Sequence, residues 1–149
     1  MITKKKLTTQ FRALSYILIA DDDLDDQELL KDALEEAEFD TKKIRFVNDG
    51  KELVDSLGAN SILPCMILLD LNMPRKGGRE ALAEIKANEL YRHIPIIIFT
   101  TSDSDADVKA CYSLGSNAFM TKPHSFIDLV DSMRVLLSFW FGLTLMVTD

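Results

Sequence analysis

A doubly wound α/β fold, with five parallel strands and helices on both faces of the sheet, is what this sequence predicts, on three observations. Short apolar runs occur without the polar alternation of a half-exposed strand: Tyr16-Ile17-Leu18-Ile19-Ala20, Met66-Ile67-Leu68-Leu69 and Ile96-Ile97-Ile98-Phe99. Such runs suit strands buried on both faces of a parallel sheet. Segments of helical period lie between them, and clusters of Gly, Pro, Asn and Asp punctuate the boundaries. At 149 residues the chain suffices for one domain with an ordinary core.

The elements follow in order. Residues 1–14 carry Lys4, Lys5, Lys6 and Arg12 without an acid or a periodic pattern, and are expected to form a basic flexible arm. Ser15 to Ala20 is the first strand and runs into Asp21-Asp22-Asp23. From Asp25 to Phe39 the residues Leu29, Leu30, Ala33, Leu34 and Ala37 recur at helical spacing, with acids in the first turn, where they complement the helix dipole. Ile44 to Val47 is a short strand, Asn48-Asp49-Gly50 a turn, and Lys51 to Leu57 a helix closed by Gly58. Cys65 to Leu69 forms the third strand and delivers Asp70 to the carboxyl edge of the sheet, where open α/β folds bind ligands. Gly77-Gly78 precedes a helix whose inward face is Ala81, Leu82, Ile85 and Leu90. Pro95 introduces the fourth strand, Ile96 to Phe99, which ends in Thr100-Thr101-Ser102. Ser104 is the N-cap of a helix reaching Leu114, with Gly115 as its C-cap. Asn117 to Met120 is the fifth strand, Lys122-Pro123 follows it, and Phe126, Leu129, Val130, Met133, Leu136 and Leu137 stripe a last helix.

Composition narrows the function classes. A net charge of -7 argues against generic nucleic-acid binding, which needs a basic face. The acidity is local: eleven acids and one base, Lys31, lie between Asp21 and Asp40. Cys65 and Cys111 read as small buried side chains in a reducing compartment, and the isolated His93 and His124 give no zinc pattern. The basic start lacks the apolar stretch and cleavage site of a signal peptide.

At the carboxyl ends of the strands stand Asp21 and Asp22, then Asp70, then Thr100, with Lys122 after the fifth. Each alone has an ordinary use in caps, turns or solvated faces. Together they place three carboxylates, a hydroxyl and an ammonium on one edge, and like charges held close cost energy. Mg²⁺ relieves that cost, since it takes oxygen ligands and its charge balances the -2 of this set. A carboxylate beside such an ion can attack phosphorus, while the metal, lysine and hydroxyl bind the phosphoryl oxygens.

With those residues in order, Tyr16 to Leu137 resembles the response-regulator receiver domain of two-component signalling. The resemblance implies a flavodoxin-like sheet of strand order 2-1-3-4-5 with helices on both faces. It implies that Asp70 is the phosphoacceptor, that Asp21 and Asp22 bind Mg²⁺ directly or through water, and that Asn72 offers its backbone carbonyl. Lys122 would pair with the phosphoryl group, Thr100 would donate its hydroxyl as the switch residue, and Phe119 would be the switch aromatic. The Lys122–Pro123 bond is expected to be cis. The chain departs from the usual acidic pair in having five Asp among residues 21–26, of which Asp23, Asp25 and Asp26 read as solvated or helix-capping.

The expected organisation is therefore the basic arm at 1–14, a receiver domain at 15–138 and an apolar extension at 139–149, with no output domain. No charge occurs between Arg134 and Asp149, yet the stretch is too short for a membrane span. A last helix cannot bury Phe139, Trp140 and Phe141 on one face, so a homodimer through this end is expected. In style the chain resembles stand-alone receivers that partner phytochrome-type kinases. The resemblance implies a cytoplasmic protein that takes phosphoryl groups from a histidine kinase or phosphotransfer protein and signals to a downstream protein by contact. It would bind neither nucleic acid nor membrane, and would catalyse only its own phosphorylation and dephosphorylation. A haloacid-dehalogenase-type hydrolase competes poorly, because the second Asp such enzymes carry two residues after the nucleophile is Asn72 here. A phosphorylation-independent scaffold ranks lower, since every motif residue is present.

Overall fold

Every residue of three central strands is buried, which leaves a pleated ribbon no face for water and requires a helical layer on each side. The computed structural model describes residues 15–145. Its strands β1 (Ile17–Ala20), β2 (Ile44–Val47), β3 (Met66–Leu69), β4 (Ile96–Thr100) and β5 (Ala118–Thr121) are all parallel and lie in the order 2-1-3-4-5. The fold is the flavodoxin-like one the sequence predicts.

The helices are α1 (Leu24–Glu36), α2 (Gly50–Ala59), α3 (Gly78–Ala87), α4 (Asp105–Leu114) and α5 (Phe126–Leu137). Alternation along the strands feeds two cores. Ile17, Ile19, Leu68 and Phe99 face Leu30 and Leu34 of α1 and Met133 and Leu137 of α5. Leu18, Ile67, Leu69 and Ile98 face Leu53 of α2, Leu82 and Ile85 of α3 and Cys111 of α4. Side chains cap the helix starts as expected, Asp23 accepting from the Asp25 and Asp26 amides and Ser104 from that of Asp107. Gly115 ends α4 at φ 104°, a left-handed conformation in which a side chain would be strained.

Several local expectations are corrected. Gly58 lies inside α2 rather than closing it. Leu90 is 69% exposed, because α3 stops at Ala87 and the extended Asn88 turns the chain away from the core. Phe126, on the first turn of α5, is also exposed. The Lys122–Pro123 bond is not cis, since the described residues contain no cis peptide bond; trans is the ordinary preference of X–Pro bonds.

The tail departs from a simple continuation of α5. Ser138–Leu143 forms a wide π-helical turn, which changes the phase of the side chains that follow. Phe141, four residues after the buried Leu137, is fully buried in the α1/α5 core and stacks on Phe39 with ring centroids 6.2 Å apart. Trp140 packs part-buried against the same core, whereas Phe139 and Val135 remain exposed. The arm expected at residues 1–14 and the last residues of the tail, 146–149, lie outside the described residues. Among the described residues no helix is long and apolar enough to cross a membrane.

Candidate functional site

Strand register brings the charged residues together. Ala20 of β1 lies opposite Leu69 of β3, so Asp21 and Asp70 leave the sheet side by side, and the Asp70 amide donates to the Ala20 carbonyl at 3.0 Å. Thr100 of β4 lies opposite Thr121 of β5, and the Lys122 amide donates to the Thr100 carbonyl at 2.7 Å. Lys122 thus enters the same edge from the far side of the sheet.

Its ammonium makes the central contact. Lys122 Nζ donates to Asp21 Oδ2 at 2.7 Å, Asp26 Oδ2 at 2.8 Å and Asp70 Oδ2 at 2.9 Å. Carboxylate oxygens of Asp21, Asp22 and Asp70 lie within 4.8 Å of one another. Asp21 and Asp70 are buried and Asp22 is exposed, so the cluster opens to solvent on one side. Burial pushes the Asp21 carboxyl above its usual range, against the opposing hydrogen bond from Lys122. Burial also pushes the Lys122 ammonium down, but its bonds to Asp21, Asp26 and Asp70 overcome this and hold it above an ordinary lysine. Four carboxylates and one ammonium remain strongly negative in sum. Three clustered hard oxygens with an open side fit a small divalent cation that keeps waters and accepts a further oxygen ligand.

Thr100 is fully buried, and its Oγ1 is one of the two buried side-chain polar atoms without a hydrogen-bond partner among the described residues. An unpaired buried hydroxyl costs about 1–3 kcal/mol, so an acceptor arriving here would be favoured. Phe119, the expected switch aromatic, is half-buried beside the α2/α3/α4 core and pairs in register with Ile98. Asn72 is exposed, and its amide reaches Asp70 Oδ1 at a long 3.4 Å.

Three residues that sequence reasoning missed complete the edge. Asp26, read as solvated or capping, is a ligand of the Lys122 ammonium. Asp49 caps α2 through the Glu52 amide at 2.8 Å and takes Arg75 Nε at 2.8 Å and Nη2 at 2.6 Å. That amide, then Arg75, holds the Asp49 carboxyl below its ordinary range despite the opposing effect of desolvation. Arg75 itself sits at φ 62°, so the loop after Asp70 is latched in an unusual conformation. Gly78 is required in the same loop: a Cβ there would lie 2.2 Å from the Asp70 carbonyl oxygen.

The family model of the response regulator receiver domain matches residues 17–134. The chain belongs to this family. It is 38% identical over 130 residues to the probable methanogenesis regulatory protein FilR2 of Methanothrix harundinacea, covering 85% of this chain and 83% of that protein. It is equally 38% identical over 129 residues to response regulator Rcp1 of Synechocystis, covering 83% and 87% of the two chains. The crystal structure of the Mn²⁺-bound form of Rcp1 superposes on this receiver with a TM-score of 0.81 at 34% identity, over 90% of this chain and 99% of that one. The phosphorylated cyanobacterial phytochrome response regulator RcpA superposes with a TM-score of 0.83 at 31% identity, over 91% and 99%.

Proposed function

We propose that this receiver accepts a phosphoryl group on Asp70 and works as the switch of a phosphorelay. The observation that carries the proposal is the Lys122 ammonium 2.9 Å from Asp70 Oδ2, beside a carboxylate trio within 4.8 Å. In the transfer, a carboxylate oxygen of Asp70 attacks phosphorus. The bond from phosphorus to the donor, a phosphohistidine nitrogen or an acyl phosphate oxygen, breaks with its electron pair leaving on the donor. Asp21, Asp22, Asp70 and the Asn72 carbonyl would hold Mg²⁺, which when bound supplies positive charge to the phosphoryl oxygens.

The remaining work falls to the chain's own groups. Lys122 neutralises charge on the phosphoryl oxygens from the β5 side, and Thr100 Oγ1 donates its otherwise unpaired hydrogen to one of them. Capture of Thr100 draws β4, and Phe119 beside it on β5 follows, so the surface around these strands reports phosphorylation. Hydrolysis of the acyl phosphate by water resets Asp70, and the domain has no external turnover substrate. We place it in the cytoplasm, with a histidine kinase or phosphotransfer protein as donor and a protein target as reader. Its homodimer contact is the exposed apolar surface at the end of α5 and the start of the tail, Val135 and Phe139; glutamate at either position is expected to shift a dimer to monomer in sedimentation.

The decisive experiment is intact-mass measurement after incubation with Mg²⁺ and acetyl phosphate. One phosphoryl adduct is expected on the wild-type chain and none on Asp70→Asn. An adduct that survives Asp70→Asn, or a wild-type chain that takes none, overturns the reading. Steady phosphate release from an added monoester would favour the hydrolase instead.

A further inference from the structure

Asp26 is the one carboxylate of this site to which the transfer described above gives no part. It stands in the first turn of α1, where the helix dipole alone favours an acid. Its side chain nevertheless reaches Lys122 Nζ at 2.8 Å while staying 36% exposed. It lies outside the trio whose oxygens cluster within 4.8 Å, so it is not placed to hold a cation with them. The ammonium has three N–H donors. Lys122 commits them to Asp21, Asp26 and Asp70. Two of those acceptors have other parts in the proposed transfer: the Asp70 carboxylate takes the phosphoryl group, and Asp21 would help to hold the divalent cation. The bond to Asp26 is the one that can persist from start to end.

We infer that Asp26 is a positioning residue for Lys122, holding the ammonium over Asp70 while the phosphoryl group arrives. The inference rests on the reading of Asp70 as phosphoacceptor. A lysine is a point charge on a flexible four-carbon stem, and it stabilises transferred charge only where it is held. Asp21 and Asp70 approach it from the sheet, and Asp26 closes the third side from α1. Without Asp26 the ammonium is free to swing toward the solvent-facing side of the site.

The test times phosphorylation of the full chain by acetyl phosphate at saturating Mg²⁺, followed by intact mass, and measures Mg²⁺ affinity separately by calorimetry. Asp26→Ala is expected to slow the reaction roughly tenfold through the misplaced ammonium, with Mg²⁺ affinity within about twofold of wild type. Asp26→Glu is expected to restore most of the rate. In a Lys122→Ala background, Asp26→Ala should have no further effect, which a general loss of structure would not reproduce. Should Asp26→Ala fold poorly, Asp26→Asn removes the charge while keeping the shape and carries the same comparison. A wild-type rate in Asp26→Ala overturns the inference and leaves an ordinary exposed ion pair. So does a Mg²⁺ affinity that falls in step with the rate, or a loss that persists undiminished without Lys122. A wild-type chain that takes no phosphoryl group overturns the phosphoacceptor reading together with this one, whereas adduct formation at equal rates by wild type and Asp26→Ala overturns this one alone.

Discussion

Asp49 and Lys122 each centre an ion-pair cluster near the carboxyl edge of the sheet, but the charge closes in one and stays open in the other. Asp49 is a buried carboxylate whose Oδ2 accepts from both Nε and Nη2 of the Arg75 guanidinium while its Oδ1 accepts from a helix amide. Lys122 is one ammonium divided among three carboxylates, with a fourth, Asp22, against them. The first arrangement has nothing left to bind. It fixes the loop after Asp70 onto the start of α2. The second holds more negative charge than its ammonium neutralises, a surplus that suits a divalent cation and, in the proposed function, the phosphoryl group that comes with it. The closed cluster builds the frame, and the open one is where the proposed chemistry would take place.

Mutations can break that contrast. Lys122→Ala should have the largest effect, slowing phosphorylation from acetyl phosphate by about 10²–10³, the usual loss on removing a preorganised charge from a transition state. Its thermal midpoint without divalent cation should also fall, because Asp21 loses its counter-charge, and added Mg²⁺ should recover more of that midpoint than in wild type. Next comes Gly78→Ala, which forces the Asp70 carbonyl aside; denaturant titration should show a loss of about 1–3 kcal/mol, with slower phosphorylation. Asp49→Asn should lower the thermal midpoint by a few degrees yet keep the phosphorylation rate within about threefold of wild type, since it touches a closed cluster.

The smallest effect is a pH dependence of that last variant. The folded-state carboxyl of Asp49 is held below its ordinary value of 3.8 by the Glu52 amide first and Arg75 after it. Its contribution to stability is therefore complete above that value and is lost as pH falls through the folded one. The midpoint gap between wild type and Asp49→Asn should narrow below pH 3.8 and not change between neutral pH and pH 6. A gap that widened in acid would place the stabilisation elsewhere.

Much of this site was legible because a parallel sheet converts sequence into position. An apolar run that ends in Asp must deliver that Asp to the carboxyl edge, which placed Asp21 and Asp70, and the same logic placed Thr100 and Lys122. Asp26 was not legible, because acids in a first helical turn are favoured by the dipole whether or not they have a partner. Arg75 and Asp49 join two loops, and loop-to-loop contacts leave no periodic trace. The tail was legible only in part. Phe141 follows Leu137 by four residues and so continues the buried side of α5, but nothing in the spacing foretells the wide turn at Ser138–Leu143 through which it packs. Leu90 failed similarly, its helical spacing continuing past the point where the helix ends.

The contact between Lys122 and Asp21 joins residues 101 positions apart. During synthesis the acidic strand ends emerge long before their counter-charge, so a partial chain carries clustered carboxylates with nothing to quiet them. The competent site cannot form until the fifth strand has been made and docked at the edge of the sheet. For the phosphorelay role proposed above, a chain that stops short of Lys122 lacks the charge that the transfer uses.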